Sequence, residues 1–407
     1  MGASFMASED PDPESRQTVV LVKAKDRAKT DLVALMSSLA RESDRPLGAI
    51  LKDHVVTSFG RSKLSFDEFL ALRLFDAKRY AGVDLRSFVG LRAMRGIWGV
   101  ANFRLEFLDV IRNKITMTAM LEAHGFPSIP IDAFFCLVAG RESTKCLRSR
   151  SALKAYLTTR APYPLFGKPM HGLQSLGSAR LLACDASAGV LRFRDGSERA
   201  VDAFVSDIAA HYADGYCFQR HVSPHPDTLA ICGDRLATVR IVTLMRSDGP
   251  IVWRACEKLP AGENVADNYW RVGNLLVELD VVTGRRGRAT SGVGFSLQEH
   301  ERHPDSGGAV TGTMVPNWTA TRELALEAAR AFKDTALIGW DIAPVEGGAL
   351  VVEGNATPDL FLPQLSERRG ALDHAFQDFL KERDRLAKTW KRQVRRESLA
   401  SHRPSWA

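Results

Sequence analysis

The sequence predicts an α+β protein in which helices come first and a mixed sheet follows, and three observations carry that expectation. Apolar residues recur at i, i+3 and i+4 spacings from about Asp26 to Asp109. Beyond Asn113 they gather into short strand-like runs punctuated by Gly and Pro, up to about residue 315. A helix, a strand pair and a last helix then close the chain. At 407 residues the chain is long enough for two or three packed units. With 45% hydrophobic and 25% charged residues it has a globular composition, which excludes a mainly disordered chain or a coiled coil. No apolar run approaches the roughly 18–20 residues of a bilayer span.

Residues 1–18 are polar and carry Pro, and read as a disordered leader with neither the basic nor the apolar region of a secretion signal. Residues 19–104 read as a helical accessory domain. Phe66, Phe69, Leu70, Leu72 and Leu74 keep helical spacing, and Ser65 with Glu68 three residues on makes a capping box. This part shows no cluster of chemical groups. Lys114 to His124 is a helix closed by Gly125, and Phe126-Pro127 leaves it extended. Ala237 to Met245 is a strand that turns at Ser247-Asp248-Gly249-Pro250 into Ile251 to Leu259; Leu275 to Val282 is a third. Thr321 to Phe332 is an amphipathic helix, Leu337–Ala343 and Ala349–Asn355 a strand pair, and Leu372 to about Trp390 a closing helix within a C-terminal segment, 371–407.

The net charge of +7 belongs to that segment: from Lys381 to Arg403 nine Lys or Arg face three acids, which leaves the rest of the chain near neutral. A basic tail of this kind reads as a solvated helix face, so nucleic-acid or anionic-membrane binding is not expected. Six cysteines stand apart with no C-x-x-C pair and read as reduced thiols of a cytoplasmic protein.

The most informative segment is Ile338-Gly339-Trp340-Asp341-Ile342 with Val351-Val352-Glu353-Gly354-Asn355. A turn centred near Gly347 would set Asp341 opposite Glu353, with Cβ atoms ~5 Å apart, and Asn355 on the same face. Two carboxylates this close repel unless a cation sits between them, and an all-oxygen set suits magnesium. A surface hairpin with its acids in water is the other reading. Gly167-Lys168-Pro169, followed by Gly172 and Gly177, offers a lysine at a strand end before a glycine loop, either a phosphate cradle or a surface turn. Arg240 shares a strand face with Val242 and Leu244, so it demands an anionic partner, a structural acid or a transferring phosphoryl group. Lys258 and Asn268 are placed to face the same cavity. Pro224 and Pro226 rule out a metal-binding helix through His221 and His225, and no serine elbow or reactive cysteine context is present.

In order, Asn113-Lys114, Gly125-Phe126-Pro127, Gly167-Lys168-Pro169, Phe218-Gln219-Arg220-His221, Thr238-Val239-Arg240-Ile241, Gly339-Trp340-Asp341 and Glu353-Gly354-Asn355 resemble the ATP-grasp superfamily. Gln219…Pro224-His225-Pro226 and Ala266-Asp267-Asn268 look most like its sugar-transfer-associated group, which is related to glutamate ligases. The resemblance covers residues 105–370, whereas those before 105 match none of the usual N-terminal lobe. It implies ATP held between two α+β lobes with Mg2+ on its phosphates. It makes Lys114 and Lys168, with Gly172 and Gly177, phosphate-binding. Gln219, Arg220 and Val222 fall at the adenine hinge, and Asp341, Glu353 and Asn355 match the magnesium ligands. Arg240 matches the arginine that meets the transferring phosphate, and Lys258 and Asn268 lie toward substrate. The implied activity is a ligase that activates a small-molecule carboxylate as an acyl phosphate for attack by an amine, in polysaccharide or secondary-metabolite biosynthesis. A kinase acting on a sugar or other hydroxyl, or a non-catalytic nucleotide-binding relative, are the alternatives.

Overall fold

Two seven-stranded sheets carry the architecture of the computed structural model, which describes residues 3–5, 21–23 and 32–401 except 139, 171–176 and 265. Of the expected leader, β1 (Ala3–Phe5) pairs antiparallel with β2 (Leu21–Lys23) and the remainder lies outside the described residues. Helices α1 (Leu32–Ser43), α2 (Leu47–Ser58), α3 (Phe66–Ala71) and α4 (Leu91–Ala101) follow. The capping box is present: Ser65 Oγ accepts from the Glu68 N–H at 3.2 Å, and the Glu68 carboxylate accepts from the Ser65 N–H at 2.7 Å. The same carboxylate accepts from the Leu91 N–H at 2.6 Å, so one side chain closes the first turns of both α3 and α4. The helical run read through Leu74 stops at Ala71, because Arg73 takes a left-handed conformation (φ 56°); Leu72 and Leu74 reach the core from the turn.

Next come α5 (Leu108–Arg112) and α6 (Lys114–Ala123), the latter capped by the Asn113 side chain, which accepts from the N–H groups of Ile115 and Thr116. The first sheet is built from β3 (Ile131–Phe135), β4 (Cys146–Leu147), β5 (Leu165–Pro169), β6 (Ala179–Asp185), β7 (Val190–Phe193), β8 (Glu198–Ala200) and β9 (Tyr216–Arg220), with α7 (Arg150–Ala155) and α8 (Val201–His211) packed on it. Its order is β4-β3-β9-β5-β6-β7-β8, antiparallel except between β3 and β4. Phe135, Leu153, Tyr156, Phe204 and Phe218 form its core.

After α9 (Pro226–Cys232), the second sheet uses β10 (Thr238–Arg246), β11 (Gly249–Leu259), β12 (Leu275–Leu279), β13 (Arg286–Ser291) and β14 (Gln298–His300). Then follow α10 (Trp318–Ala331), the hairpin β15 (Leu337–Val345) and β16 (Gly348–Asn355), α11 (Phe361–Glu367) and α12 (His374–Ser401). Its order is β14-β13-β12-β11-β10-β15-β16, antiparallel throughout. Strand β12 ends short of Val282 because the Asp280 carboxylate takes the N–H groups of Val282 and Thr283 into a turn. The closing helix runs past Trp390 to Ser401 and includes most of the basic segment.

One face of this sheet packs against α5, α6 and α10 through Trp340, Ile342, Leu121 and Ala325. The other face carries Val242, Leu244, Trp253 and Leu276, and these join Leu39, Phe69, Phe88 and Met94 from the N-terminal helices and Phe361 and Phe376 from α11 and α12 in a single core. Trp253 stacks on Phe376, centroids 4.3 Å apart. Residues 32–101 therefore share the sheet's core among the described residues, where the sequence suggested a unit standing apart. No helix among the described residues is long and apolar enough to cross a membrane.

Candidate active site

A cavity of about 620 Å³ lies between the sheets, a size ordinary for a small-molecule site. Strands β5, β6 and β9 line it with Phe166, Lys168, Arg180 and Gln219, while β10, β11, β15 and β16 contribute Thr238, Arg240, Lys258, Asp341, Glu353 and Asn355. The N-terminal helices add Glu68, Leu91, Met94 and Trp98.

The hairpin sets the centre of this wall. Asp341 pairs with Glu353 and Gly339 with Asn355, the expected register. The turn itself is one residue tighter than expected: Val345 pairs with Gly348 around Glu346-Gly347, where Gly347 adopts φ 79°. A β-bulge reconciles the two. Between Asp341 and Ile342 the pairing shifts by one, leaving Val352 as the extra residue on β16. Because side chains alternate, this extra residue lets Val351 face the core with Ile342 while Glu353 faces the cavity with Asp341.

Arg240 and Lys258 converge on Asp341. Arg240 Nε and Nη2 donate to Asp341 Oδ1 and Oδ2 at 2.7 and 3.0 Å, a bidentate pair made by residues directly opposed on β10 and β15. Gly339 makes room for it: a Cβ there would lie 3.2 Å from Arg240 Cδ and 2.8 Å from Pro358 Cβ. Lys258 Nζ lies 3.1 Å from Asp341 Oδ2 and 3.4 Å from Asp267 Oδ2, and Thr238 Oγ1 donates to Asp267. Burial opposes ionisation of Asp341, which is only 3% exposed, but Arg240 and then Lys258 override it and hold the carboxyl well below the usual carboxylate range. Burial pushes Asp267 up, against the pull of Lys258. Burial also works against the Lys258 ammonium, but Asp267 and Asp341 keep its pKa above the ordinary value. The anionic partner that Arg240 demands is thus Asp341 in this structure.

Lys114, the first residue of α6, donates from Nζ to the Met170 carbonyl at 3.2 Å. Burial lowers its pKa, Glu353 opposes that and Lys168 adds to it, so the two lysines and Glu353 form one electrostatic group. The Glu353 side chain accepts no hydrogen bond and forms no ion pair among the described residues. At the other end Gln219, Phe166 and Arg180 lie side by side across β9, β5 and β6. Gln219 Nε2 donates to the Ile129 carbonyl at 3.1 Å, Arg220 pairs with Asp132 at 3.4 Å, and Val222 lines the cavity. Asn268 also lines it, its Oδ1 accepting from the Trp270 N–H.

The glycine loop is the exception. Gly172 lies outside the described residues. Gly177 is not among the cavity-lining residues: its carbonyl accepts from Tyr216 Oη at 2.9 Å, and a Cβ there would lie 2.1 Å from Tyr212 Oη. It needs no side chain because the tyrosines fill that space, and Ser178 is the residue that lines the cavity. His225 caps α9, accepting the Asp227 N–H. Sequence reasoning missed Asp267, Asp359 and Arg180 as wall residues, although Asp267 sits inside the quoted Ala266-Asp267-Asn268. It also missed Glu68, Leu91, Met94 and Trp98, which only tertiary packing brings to the cavity.

The residues present fit ATP with Mg2+. No group of three or more His, Cys, Asp or Glu that would hold a metal alone exists among the described residues. Magnesium does not require one, since it commonly takes one or two carboxylates and completes its shell with phosphate oxygens and water. Glu353, the Asn355 amide oxygen and Asp341, whose oxygens Arg240 and Lys258 already hold, are the residues that would supply such donors, and Lys114 and Lys168 line the same cavity.

The family described as sugar-transfer associated ATP-grasp matches residues 101–378. No curated protein matches the sequence. Among solved structures the chain is similar to a D-alanine–D-alanine ligase from Coxiella burnetii (12% identity, TM-score 0.40, covering 72% of this chain and 62% of that one). It is also similar to a biotin carboxylase from Campylobacter jejuni (12%, 0.41, 69% and 47%) and a D-Ala:D-Ser ligase from Enterococcus faecalis (13%, 0.39, 68% and 61%). The chain thus spans less than two thirds of each of these structures. Matched over more than half its length, the chain belongs to the sugar-transfer-associated ATP-grasp family, and ATP with Mg2+ is its cofactor pair.

Proposed function

We propose that the protein is an ATP-dependent ligase that activates a carboxylate as an acyl phosphate and passes the acyl group to an amine. The observation that carries this reading is the Arg240–Asp341–Lys258 cluster, set in a cavity that, among the described residues, is lined by no cysteine and no serine hydrogen-bonded to a histidine. Burial pushes the Cys256 thiol up to about 12 and raises Cys217 as well, so neither is a thiolate near neutral pH. Burial, then the neighbouring Arg180, lowers the pKa of His221.

ATP with Mg2+ supplies the phosphoryl group that makes a carboxylate oxygen a good leaving group, and the metal screens its charge. The chain's residues position and neutralise. Lys114 and Lys168 supply positive charge from the α6 and β5 side, and Arg240 and Lys258 hold two fixed cations at the centre. Asp341 keeps both oriented, so their positive charge is preorganised.

The test is a screen of carboxylates and amines for ADP release, with hydroxylamine as a general trap for acyl phosphates. ADP and inorganic phosphate should appear in equal amounts, and a hydroxamate should form when hydroxylamine replaces the amine. If label from the γ-phosphate stays on the acceptor, the protein is a kinase and the ligase reading fails.

A further inference from the structure

The wall supplied by the N-terminal helices lies before the family match begins at residue 101, so its chemistry belongs to this chain. It is apolar. Leu91, Met94 and Trp98 come from α4, and Trp270, Phe361 and Leu362 line the same cavity from the β11–β12 connection and α11. The Trp270 and Phe361 rings lie 5.2 Å apart at 50°. The cavity's lysines and arginines all come from α6 and the two sheets; α4 and α11 line it with no charged residue, and α3 and the loops leading to Trp270 and Phe361 bring only the acids Glu68, Asp267 and Asp359.

Glu68 and Asp359 both keep acceptor positions, but they differ in what else depends on them. Each Glu68 oxygen accepts from an N–H that opens a helix, Ser65 for α3 and Leu91 for α4, so turning it toward a ligand would uncap one of them. Asp359 Oδ1 accepts from the Phe361 N–H at 2.8 Å and the carboxylate also meets the Trp270 side chain, which leaves lone pairs on a group with about four acceptor positions. Trp98 Nε1 donates to the Pro358 carbonyl at 3.1 Å, so α4 fixes the loop that presents Asp359. Arg240 lies near enough to act on the Asp359 charge, which puts this carboxylate beside the central cluster.

We infer that this wall is the acceptor subsite and that it takes an amine with an aliphatic or aromatic body, the nitrogen on Asp359 and the body against Leu91, Met94, Trp98 and Trp270. The inference rests on the ligase reading for the word acceptor. Burial raises the Asp359 pKa while the Phe361 N–H and Arg240 pull it back, and a bound ammonium would favour the charged carboxylate further as its body gains apolar contact. A carboxylate or phosphate placed there meets Asp359 and Glu68, and the nearest cation, Arg240, is already held by Asp341.

The test is equilibrium calorimetry on the full chain, with and without Mg-ADP, using tryptamine and indole-3-acetate, which share an aromatic body and differ in the sign of the head group. Tryptamine should bind about tenfold more tightly or better, Asp359→Asn should lose about tenfold of that affinity, and Leu91→Lys should reverse the preference. Equal binding of the two probes, preference for indole-3-acetate, no tryptamine binding, or an unchanged affinity in Asp359→Asn overturns the inference. Thermal melting of each variant confirms that it is folded. The two readings fail separately. Tryptamine held by Asp359 while ADP release ignores every amine sinks the ligase and keeps an amine site. Amine-dependent ADP release with tryptamine indifferent to Asp359 sinks the subsite alone.

Discussion

Asp341 and Glu353 stand opposite one another on paired strands, yet their surroundings give them different work. Asp341 is clamped by Arg240 and Lys258, whereas Glu353 has no such partner among the described residues. Replacing Asp341 by Asn leaves two buried cations facing a neutral amide, and breaking a buried pair costs about 3–5 kcal/mol. The Asp341 carboxyl is held below its unfolded value of about 4, so its stabilisation is complete above that pH and is lost as pH falls toward the folded value. The urea midpoint of the ligand-free protein should therefore fall as the pH drops below about 4, and Asp341→Asn should flatten that dependence. Glu353→Gln is expected to change stability by only about 0.5 kcal/mol while lowering Mg2+-dependent ATP affinity about tenfold or more, read by calorimetric titration. An equal loss of stability in both variants would make Glu353 structural and remove it from the magnesium set.

At the scale of elements, what the sequence disclosed was local. A turn centred on Gly347 pairs Asp341 with Glu353 on paper, and in the structure the tighter turn at Glu346-Gly347 and the extra residue Val352 offset one another to give the same pair. The bulge at Val352 left no such signal: a valine there reads like any strand residue, and only the ladder on both sides shows that it is extra. Arg240 likewise announced its need for an anion but not that Asp341, about a hundred residues away in sequence, supplies it. Gly177 carried a double signal, because glycine serves equally for a phosphate approach and for a tyrosine packed against the backbone. Ser65 and Glu68 show the same division, since the capping box is a four-residue pattern while the bond from Glu68 to the Leu91 N–H joins two helices. That second bond makes Glu68 more than a cap. Glu68→Ala removes an acceptor that is itself only 5% exposed from the half-buried Leu91 N–H and the exposed Ser65 N–H; a buried donor left unpaired costs about 1–3 kcal/mol and an exposed one less. The urea midpoint should fall by the equivalent of about 2–4 kcal/mol, and Glu68→Gln, which keeps one acceptor oxygen, should lose less. A fall no larger than that of an ordinary cap, about 1 kcal/mol, would mean that α4 does not depend on this bond.

For the molecule as a whole the consequence is that the N-terminal helices share a core with the second sheet, even though the family match begins only at residue 101. They cover the face of the second sheet that carries Val242, Leu244, Trp253 and Leu276, and they meet α11 and α12 in the same core. Asn102 adds polar ties across this junction, its side chain donating to the carbonyls of Leu337 and Ala356 and accepting from the Leu337 N–H. Each large apolar side chain returned to water costs about 1.5–3 kcal/mol, so exposing these four alone approaches the 5–15 kcal/mol of a whole domain's stability. The sequence placed these helices in an accessory unit because amphipathic periodicity shows that a face is buried but not against what. A chain shortened to begin at residue 105 is therefore expected to lose its cooperative unfolding transition and to bind the apolar dye ANS, with Mg2+-dependent ATP binding lost alongside. If that shortened chain instead melts cooperatively and still binds ATP, the two sheets fold without their helical cover, and the N-terminal helices serve only the wall beside Asp359.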